Sequence, residues 1–414
     1  MLTWEEPSVP YHASLFGRLS PAEQLAVLRE SPPSERLARI RTLPLDDATD
    51  LIQAAPYSQR DALLGLLEDA ARSEVKALLA YAEDVAGGLM NPRFVRLRPD
   101  FSVDEAIRYL RIHVRDFARP ISDAYVLDAE QHLLGVVSPL DLLSSPANQT
   151  IDCVMTKEPI TVSEDADQEL VGQVFREYDL LSAPVVDGLG RMKGVVTADD
   201  IVDVISEEAT EDVQKIGGAG PLDAPYLHTS FSSMVRSRGG WLALLFLGEM
   251  LTATAMGWYE DQLSRAIVLV LFLPLIISSG GNAGSQATTL VVRAMALGEV
   301  KLRDWWKVIR REFIVGLALG VLLAVIGALR IIVWEGLFNS YGEHYLVIVL
   351  TVALSLIGVV LWGVMAGSVL PFILRLAGLD PASASAPFVA TIVDVTGLVI
   401  YFSIAGIVLR GTLL

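Results

Sequence analysis

The stretch FVATIVDVTGLVIYF, residues 388–402, decides the class of this chain. With its flanks it is long and apolar enough to cross hydrocarbon as a helix, which takes about 20 residues. Asp394 stands in its middle. A carboxylate at that depth is costly and normally faces a partner or a watery path. The stretch therefore reads as a membrane span whose acid serves an ion. The plainer alternative is a protonated acid bonded to a neighbouring Ser or Thr.

Working outward, four more apolar stretches precede it. Together the five predicted spans cover roughly 241–257, 266–292, 313–334, 345–374 and 387–409, each near the length a helix needs to cross. The loop KLRDWWKVIRRE (301–312) is basic, and Arg236 and Arg238 precede the first span, whereas GWYEDQ (257–262) and FNSYGEHY (338–345) hold no Lys or Arg. The positive-inside bias then predicts a cytoplasmic N-terminus, an inside 293–312 loop and an outside C-terminus. The start, MLTWEEPSVP, has no apolar core of the kind a cleavable signal carries. Within the spans Glu249, Arg330 and Asp394 are the plain charges. Arg330 lies near an outer end, where it can snorkel. Glu249 reads equally as an ion ligand or a structural acid. The second span contains SSGGNAGSQATT (278–289), in which Asn282 and Gln286 share a helical face. Its small residues allow close helix approach. The twin glycines could also loosen the helix and offer carbonyls to a hydrated cation.

The rest of the chain differs in kind. The 414 residues carry a net charge of −17, but up to Ser230 there are 39 acidic against 20 basic residues, hence −19, and beyond it 10 against 12, hence +2. Such an acidic half repels nucleic acid, which binds through Lys and Arg on phosphates, and attracts divalent cations. The single cysteine, Cys153, excludes a disulfide framework or thiolate metal site within one chain. Residues 14–85 read as amphipathic helices punctuated by Pro and Ser, with Asp46, Asp47 and Asp50 in an acidic helix start.

Residues 127–143 (LDAEQHLLGVVSPLDLL) and 186–202 (VDGLGRMKGVVTADDIV) repeat each other at an offset of 59. Each copy gives strand, turn, strand, then a Ser or Thr able to cap a helix. This pattern resembles the CBS domain, a module that often senses adenosine nucleotides. The resemblance makes Thr197 with Asp200, and Ser138 with Asp141, the ribose-contacting positions; for the first copy simple capping is preferred. After the second copy, ADDIVDVISEEATEDVQKIGG (198–218) has an apolar stripe and an opposite face with Asp200, Asp203, Glu207, Glu208, Glu211 and Asp212. Like charges at these spacings repel, so the face favours hard cations with oxygen ligands.

Taken together, LPLDD, AGGLMNP (86–92), the paired repeats, EEATEDVQKIG (207–217), GGNAGSQATTLVVRA and LDPASASAPFVATIVDVTGLVIYF make the chain similar to the MgtE-type magnesium channels over nearly its whole length. The resemblance implies a multidomain membrane protein. Its parts would be an all-α N-terminal domain (1–85), two α/β CBS repeats (86–149 and 150–207), a connecting or plug helix with linker (198–236), and a five-helix transmembrane domain (237–414). It implies a homodimer in the cytoplasmic membrane importing Mg2+. Asp394 would be the pore ligand, assisted by the Ala390 carbonyl, with Asn282 and Gln286 in the companion segment. Asp380 would be either a conduction-path acid or the N-cap of the fifth span. Cytosolic Mg2+ at Asp46, Asp50, Glu169, Asp179, Asp200, Asp203, Glu208, Glu211 and Asp212 would hold the pore shut, and ATP is expected as a regulator through Thr197 and Asp200. Ala386 stands where relatives commonly have an asparagine. The alternatives are a transporter of Mn2+ or Co2+ and a CBS-regulated membrane enzyme. The latter lacks a Ser/His/Asp or HExxH arrangement.

Overall fold

The computed structural model describes residues 15–113, 122–222, 226–227, 229–260, 266–410 and 412. It divides into two compact units, Met1–Glu208 and Ala209–Leu414. Residues 223–225 and 228 of the 198–236 connecting segment fall outside the described residues.

The first unit opens with five short helices: α1 (Pro21–Glu30), α2 (Pro33–Arg41), α3 (Leu45–Ala54), α4 (Tyr57–Leu64) and α5 (Asp69–Leu78). The Pro and Ser signals fall at their starts. Ser20 and Glu23 cap α1 reciprocally, and α2, α3 and α4 each follow a proline. The Ser20–Glu23 box satisfies amide groups that a helix start leaves without intrahelical acceptors. Helix α3 is the buried one, with Leu51 and Ile52 fully enclosed. The next elements are α6 (Ala86–Leu89), β1 (Val95–Leu97), α7 (Val103–His113), β2 (Ala124–Leu127), β3 (Leu133–Val137), α8 (Pro139–Ser144), α9 (Ile151–Val154) and β4 (Thr156–Lys157). Then come β5 (Val162–Ser163), α10 (Gln168–Tyr178), β6 (Ser182–Val186), β7 (Met192–Thr197) and α11 (Ala198–Ile216).

Both repeats form a parallel strand pair followed by an antiparallel hairpin: β1-β2-β3-β4 and β5-β6-β7. The sheets cut across the sequence repeats. Thr156–Lys157 pairs with β3 of the first sheet, while Asn91 bridges Val195 of the second. The AGGLMNP segment thus packs on the second repeat. Its glycines are needed there, because a Cβ on Gly87 would meet the Tyr81 ring at 2.4 Å and one on Gly88 the Ala82 carbonyl at 2.3 Å. One apolar core joins the helical domain to the second repeat, running from Leu51 and Val75 through Met90 and Phe175 to Ile201 at the start of α11. The first repeat has its own core around Val126 and Val137.

The second unit holds the last part of α11 and five long apolar helices. The first span is Phe231–Trp258, beginning about ten residues before the apolar stretch that marked it. The second opens as a 3-10 turn (Ile267–Phe272) and continues as Leu273–Ala296. The third is Trp305–Phe338, the fourth Tyr345–Leu376 and the fifth Ala386–Val408. The twin glycines do not loosen the second span, which runs unbroken through them. They serve close approach instead. A Cβ on Gly363 of the fourth span would lie 2.2 Å from the Gly280 carbonyl oxygen, and one on Gly367 2.2 Å from that of Gly284. Only glycine permits that backbone contact, and Thr288 Oγ1 donates across it to the Gly367 carbonyl at 2.8 Å. Arg330 lies over the Trp334 ring, 3.5 Å from its centre, which gives its charge a partner near the C-terminal end of the third span.

Candidate functional site: a carboxylate-lined cavity in the spans and an acidic cluster in the first unit

The fifth span starts where the backbone chemistry allows. Ser385 caps it, its hydroxyl accepting from the Phe388 amide at 3.3 Å, and Pro387 occupies the first turn. Asp380 is therefore not the cap of this span. It caps a separate 3-10 turn, Pro381–Ser383, accepting from the Ala382 amide at 2.8 Å.

Two turns into the span, Ala390 and Asp394 line a cavity of about 610 Å³ together with Glu249 and Thr252 of the first span and Ser278, Gly281 and Asn282 of the second. Two glycines bring these helices in. A Cβ on Gly248 would sit 2.6 Å from Thr391 Cγ2, so glycine lets the first span reach the fifth and carries the next residue, Glu249, towards Asp394. A Cβ on Gly281 would lie 3.4 Å from Ala390 Cβ and 4.0 Å from Asp394 Oδ1, which leaves the second span flush against the acid. Asn282 points its amide nitrogen at Ser278 Oγ, 3.5 Å away. Of the residues expected at the path, Asp394, Ala390, Asn282 and Glu249 thus come together. Gln286, one turn past Asn282, is exposed and outside this wall, and so is Asp380. Thr252 was missed, since a lone threonine in an apolar stretch carries no signal.

A hexahydrated Mg2+ occupies the volume of about six waters, or roughly 180 Å³ at about 30 Å³ each. The cavity volume exceeds that of such an ion with its shell, and its carboxylates, amide and hydroxyl are groups able to hydrogen-bond to water. A hard, reluctantly dehydrated cation suits that donor set.

The first unit gathers a different acidic site. Carboxylate oxygens of Asp46, Asp47 and Asp200 lie within 4.8 Å of one another. Asp46 is 3 % exposed and accepts from Asn91 Nδ2 at 3.1 Å. Beside them the Asp50 carboxyl is pushed up to about 8, first by burial and then by the charges of Asp47, Asp200, Glu207 and Glu83. Glu207 is raised too, by burial, Asp203, Glu208 and Glu83. Glu83 escaped the sequence reading because nothing in YAEDVAGG marks it. Other predicted ligands stand apart. Glu169 and Asp179 sit at opposite ends of α10, Asp179 as its left-handed C-cap, and Glu208 accepts from Gln168.

Within the second unit, Glu211 is engaged by Lys215, whose Nζ also donates to Asp380 Oδ2 at 2.6 Å. These two carboxylates hold the Lys215 ammonium well above the usual lysine range despite its desolvation. Ile216 packs with Val292, Ala382 and Ala384, and α11 ends as Gly218 turns with φ of 73° close to Pro387. In both CBS copies the Ser or Thr is a helix cap. Ser138 Oγ and Asp141 Oδ2 are 2.7 Å apart, Thr197 Oγ1 and Asp200 Oδ2 2.8 Å.

Five membrane-length helices among the described residues, three of them lining a carboxylate-bearing cavity, together with a CBS pair, are the architecture of a multi-pass cation transporter. The family profile described as a divalent cation transporter matches residues 273–404, the MgtE intracellular N domain matches 2–84, and the CBS domain matches 82–148 and 151–207. The magnesium transporter MgtE of Thermus thermophilus is 38 % identical over 404 residues, covering 96 % of this chain and 87 % of that protein. The magnesium transporter MgtE of Enterococcus faecalis is 34 % identical, covering 81 % of this chain and 72 % of its own. A solved cytosolic domain of the Mg2+ channel MgtE in complex with ATP is 37 % identical, with a TM-score of 0.44 over 46 % of this chain and 77 % of that one. The chain belongs to the MgtE family of magnesium transporters. It is a transporter and not an enzyme; matches to enzymes such as inosine-5'-monophosphate dehydrogenase cover 39 % of the chain or less.

Proposed function

We propose that this transporter imports Mg2+ across the cytoplasmic membrane as a homodimer, with its N-terminus inside, and that Asp394 is the residue the ion meets. The observation that carries this reading is the cavity itself, where Asp394, Asn282 and Ala390 from two spans share one wall of a space wide enough for the hydrated ion. Two copies of Asp394 in a dimer would offer −2 to a +2 cargo. The ion would pass with most of its water, because Mg2+ dehydrates reluctantly, and the carboxylates would bond to that shell. The absence of thiolate or imidazole from the described cavity wall favours a hard cation over Co2+ or Zn2+.

The acidic cluster of the first unit serves as the sensor. At low cytosolic Mg2+, Asp46, Asp47, Asp50 and Asp200 repel one another or hold protons. At higher concentration Mg2+ neutralises them, with Asp203, Glu208, Glu211 and Asp212 extending the acidic face of α11. Glu169 and Asp179 complete the expected set at the ends of α10. The pore then closes, giving a negative-feedback valve. ATP would bind at the second repeat through Thr197 and Asp200, at the expense of their mutual cap. The test is Mg2+ flux into liposomes carrying Asp394→Asn, which keeps shape and removes charge. Loss of flux with the dimer intact fits the reading. Wild-type flux and selectivity from this variant would rule it out, and preferred transport of Mn2+ by the wild type would replace the cargo.

A further inference from the structure

The start of the third span and the turn before it carry a charged, aromatic surface that the cavity does not use. Residues 301–312 hold five cations, Lys301, Arg303, Lys307, Arg310 and Arg311, against two acids, Asp304 and Glu312. Asp304 is engaged, since Lys307 Nζ donates to it at 2.8 Å. Among the described residues neither Arg310 nor Arg311 meets a carboxylate within ion-pair distance. Trp305 and Trp306 stand beside them edge to face, 50 % and 61 % exposed.

This helix has a packed face and an open one. Gly316 and Gly320 lie against the fourth span, where a Cβ on Gly320 would come within 2.9 Å of Ile357 Cα. On the opposite face Lys307, Arg311, Ile314 and Ala318 follow at spacings of four, three and four residues, which is one column on a helix. All four are exposed. The column begins in cations and continues in apolar side chains, the order of a phospholipid from headgroup to chain. Depth agrees. Trp306 and Trp334 are 28 residues apart, about 42 Å along the helix. A bilayer with its headgroups is about 40–45 Å thick, and tryptophans favour both of its surfaces. Arg310 and Arg311 then lie about 6–8 Å deeper than Trp306, at the border of headgroup and hydrocarbon.

We propose that the basic end of the third span is a docking face for anionic phospholipid. Arg310 and Arg311 fork onto the lipid phosphate and Lys307 adds a point charge. The acyl chains lie along Ile314 and Ala318, and the Trp305–Trp306 pair covers the headgroup. The bias of cations towards one side of a membrane asks only for charge in the loop; it does not place arginines at the head of a lipid-facing column. A second copy of this chain is a poor occupant, because a twofold axis along the membrane normal sets these cations against themselves. The same turns pack through Leu302 and Val308 on Met295 and Phe372 of the second and fourth spans, so a bound lipid braces three spans at once. The inference holds whichever ion the cavity passes.

The experiment takes the full chain from vesicles holding equal amounts of phosphatidylglycerol and phosphatidylcholine and counts the lipids it retains by native mass spectrometry. Wild type is expected to keep several-fold more phosphatidylglycerol than phosphatidylcholine. Lys307→Gln/Arg310→Gln/Arg311→Gln should lose most of that excess. Arg310→Lys/Arg311→Lys, which keeps charge without the fork, should lose part of it, and Arg236→Gln/Arg238→Gln on the first span should lose none. Arg311→Gln alone leaves four cations to guide insertion and should lower the excess at least twofold, so the test stands if the triple variant fails to assemble. A wild type without preference between the two lipids, as when a second copy covers the face, overturns the proposal. So does a wild-type excess in the triple variant or in Arg311→Gln. Inorganic phosphate that strips phosphatidylglycerol at an ionic strength where chloride does not would make the ligand a free phosphate and overturn the lipid assignment.

Discussion

The molecule forces carboxylates together twice, and the two places differ in what surrounds them. In the spans Asp394 and Glu249 border a cavity of about 610 Å³ walled otherwise by glycine, alanine, amide, hydroxyl and larger apolar side chains such as Leu273, Ile277 and Leu398. In the first unit Asp46, Asp47 and Asp200 converge within 4.8 Å, with Asp50 beside them. A wide site with few charges holds a hydrated ion weakly and lets it leave, as conduction requires. A tight site with many charges is costly when empty and is relieved by a cation or by protons. On the function proposed here, transport and sensing ask opposite things of the same functional group.

The sharpest way to break this contrast is at the wide site. Asp394→Asn should lower Mg2+ flux at least tenfold, since it removes the charge opposite the cargo. It should leave the cytosolic Mg2+ dependence of closure where it was, provided residual flux is measurable. A shift in closure instead would merge the two sites into one.

The tight site comes next in size. A bridging ion stabilises its bound state by RT ln(1 + [L]/Kd), about 1 kcal/mol at a few times Kd. Replacing Asp200, Asp203, Glu208, Glu211 and Asp212 with Asn or Gln removes bridges and also repulsion, but repulsion among exposed acids is screened and weaker. The variant should therefore close only at severalfold higher cytosolic Mg2+, with unchanged maximal flux. Closure at the wild-type concentration would return the acidic face to plain solvation.

A smaller, pH-dependent effect sharpens the comparison from the protonation side. The Asp50 carboxyl is raised by burial to about 8, so the folded state favours its protonated form. That contribution is fully present below the unfolded value near 4 and is lost as pH rises through about 8. Without divalent ions, amide exchange in Leu45–Ala54 should accelerate between pH 6 and pH 9 beyond its intrinsic increase. Millimolar Mg2+ or Asp50→Asn should suppress the excess. An exchange rate indifferent to Asp50→Asn would show that the neighbouring acids do not strain Asp50.

The smallest effect belongs to Lys215. Its bonds to Glu211 and Asp380 are partly exposed, with Lys215 at 23 % and Asp380 at 38 % of side-chain area, and such pairs contribute about 1 kcal/mol or less. Lys215→Met should shift closure by no more than a few-fold, measured as flux against cytosolic Mg2+. Asp380→Asn should do the same if the contact matters through the ion pair, and a large loss of maximal flux would place Asp380 in the path.

The sequence made some of this legible and hid the rest for physical reasons. Five spans could be read because some 20 apolar residues in a row have few other uses. Their ends could not: Phe231–Gly240 continues the first helix in polar residues, and hydropathy marks hydrocarbon, not helix. Asp394 and Asn282 stood out as polar groups in apolar company. Their meeting with Glu249 did not, because it depends on what Gly248 and Gly281 allow three helices to do. The acidic face of α11 read as one continuous surface. The fold splits it, taking Asp200 to Asp46 and Asp47 while Glu211 pairs with Lys215. Pro381 misled because Asp-Pro opens a 3-10 turn as readily as a helix, and the true start waits for Ser385 and Pro387.

The most direct test of the division between cargo site and sensor is Mg2+ flux in liposomes with magnesium imposed on one face at a time. It should be run on wild type, Asp394→Asn and the five-residue α11 variant. The account predicts that Asp394→Asn lowers maximal flux without moving the cytosolic concentration that closes the path. It predicts that the α11 variant moves that concentration upward without lowering maximal flux. Either variant changing both quantities together would contradict it.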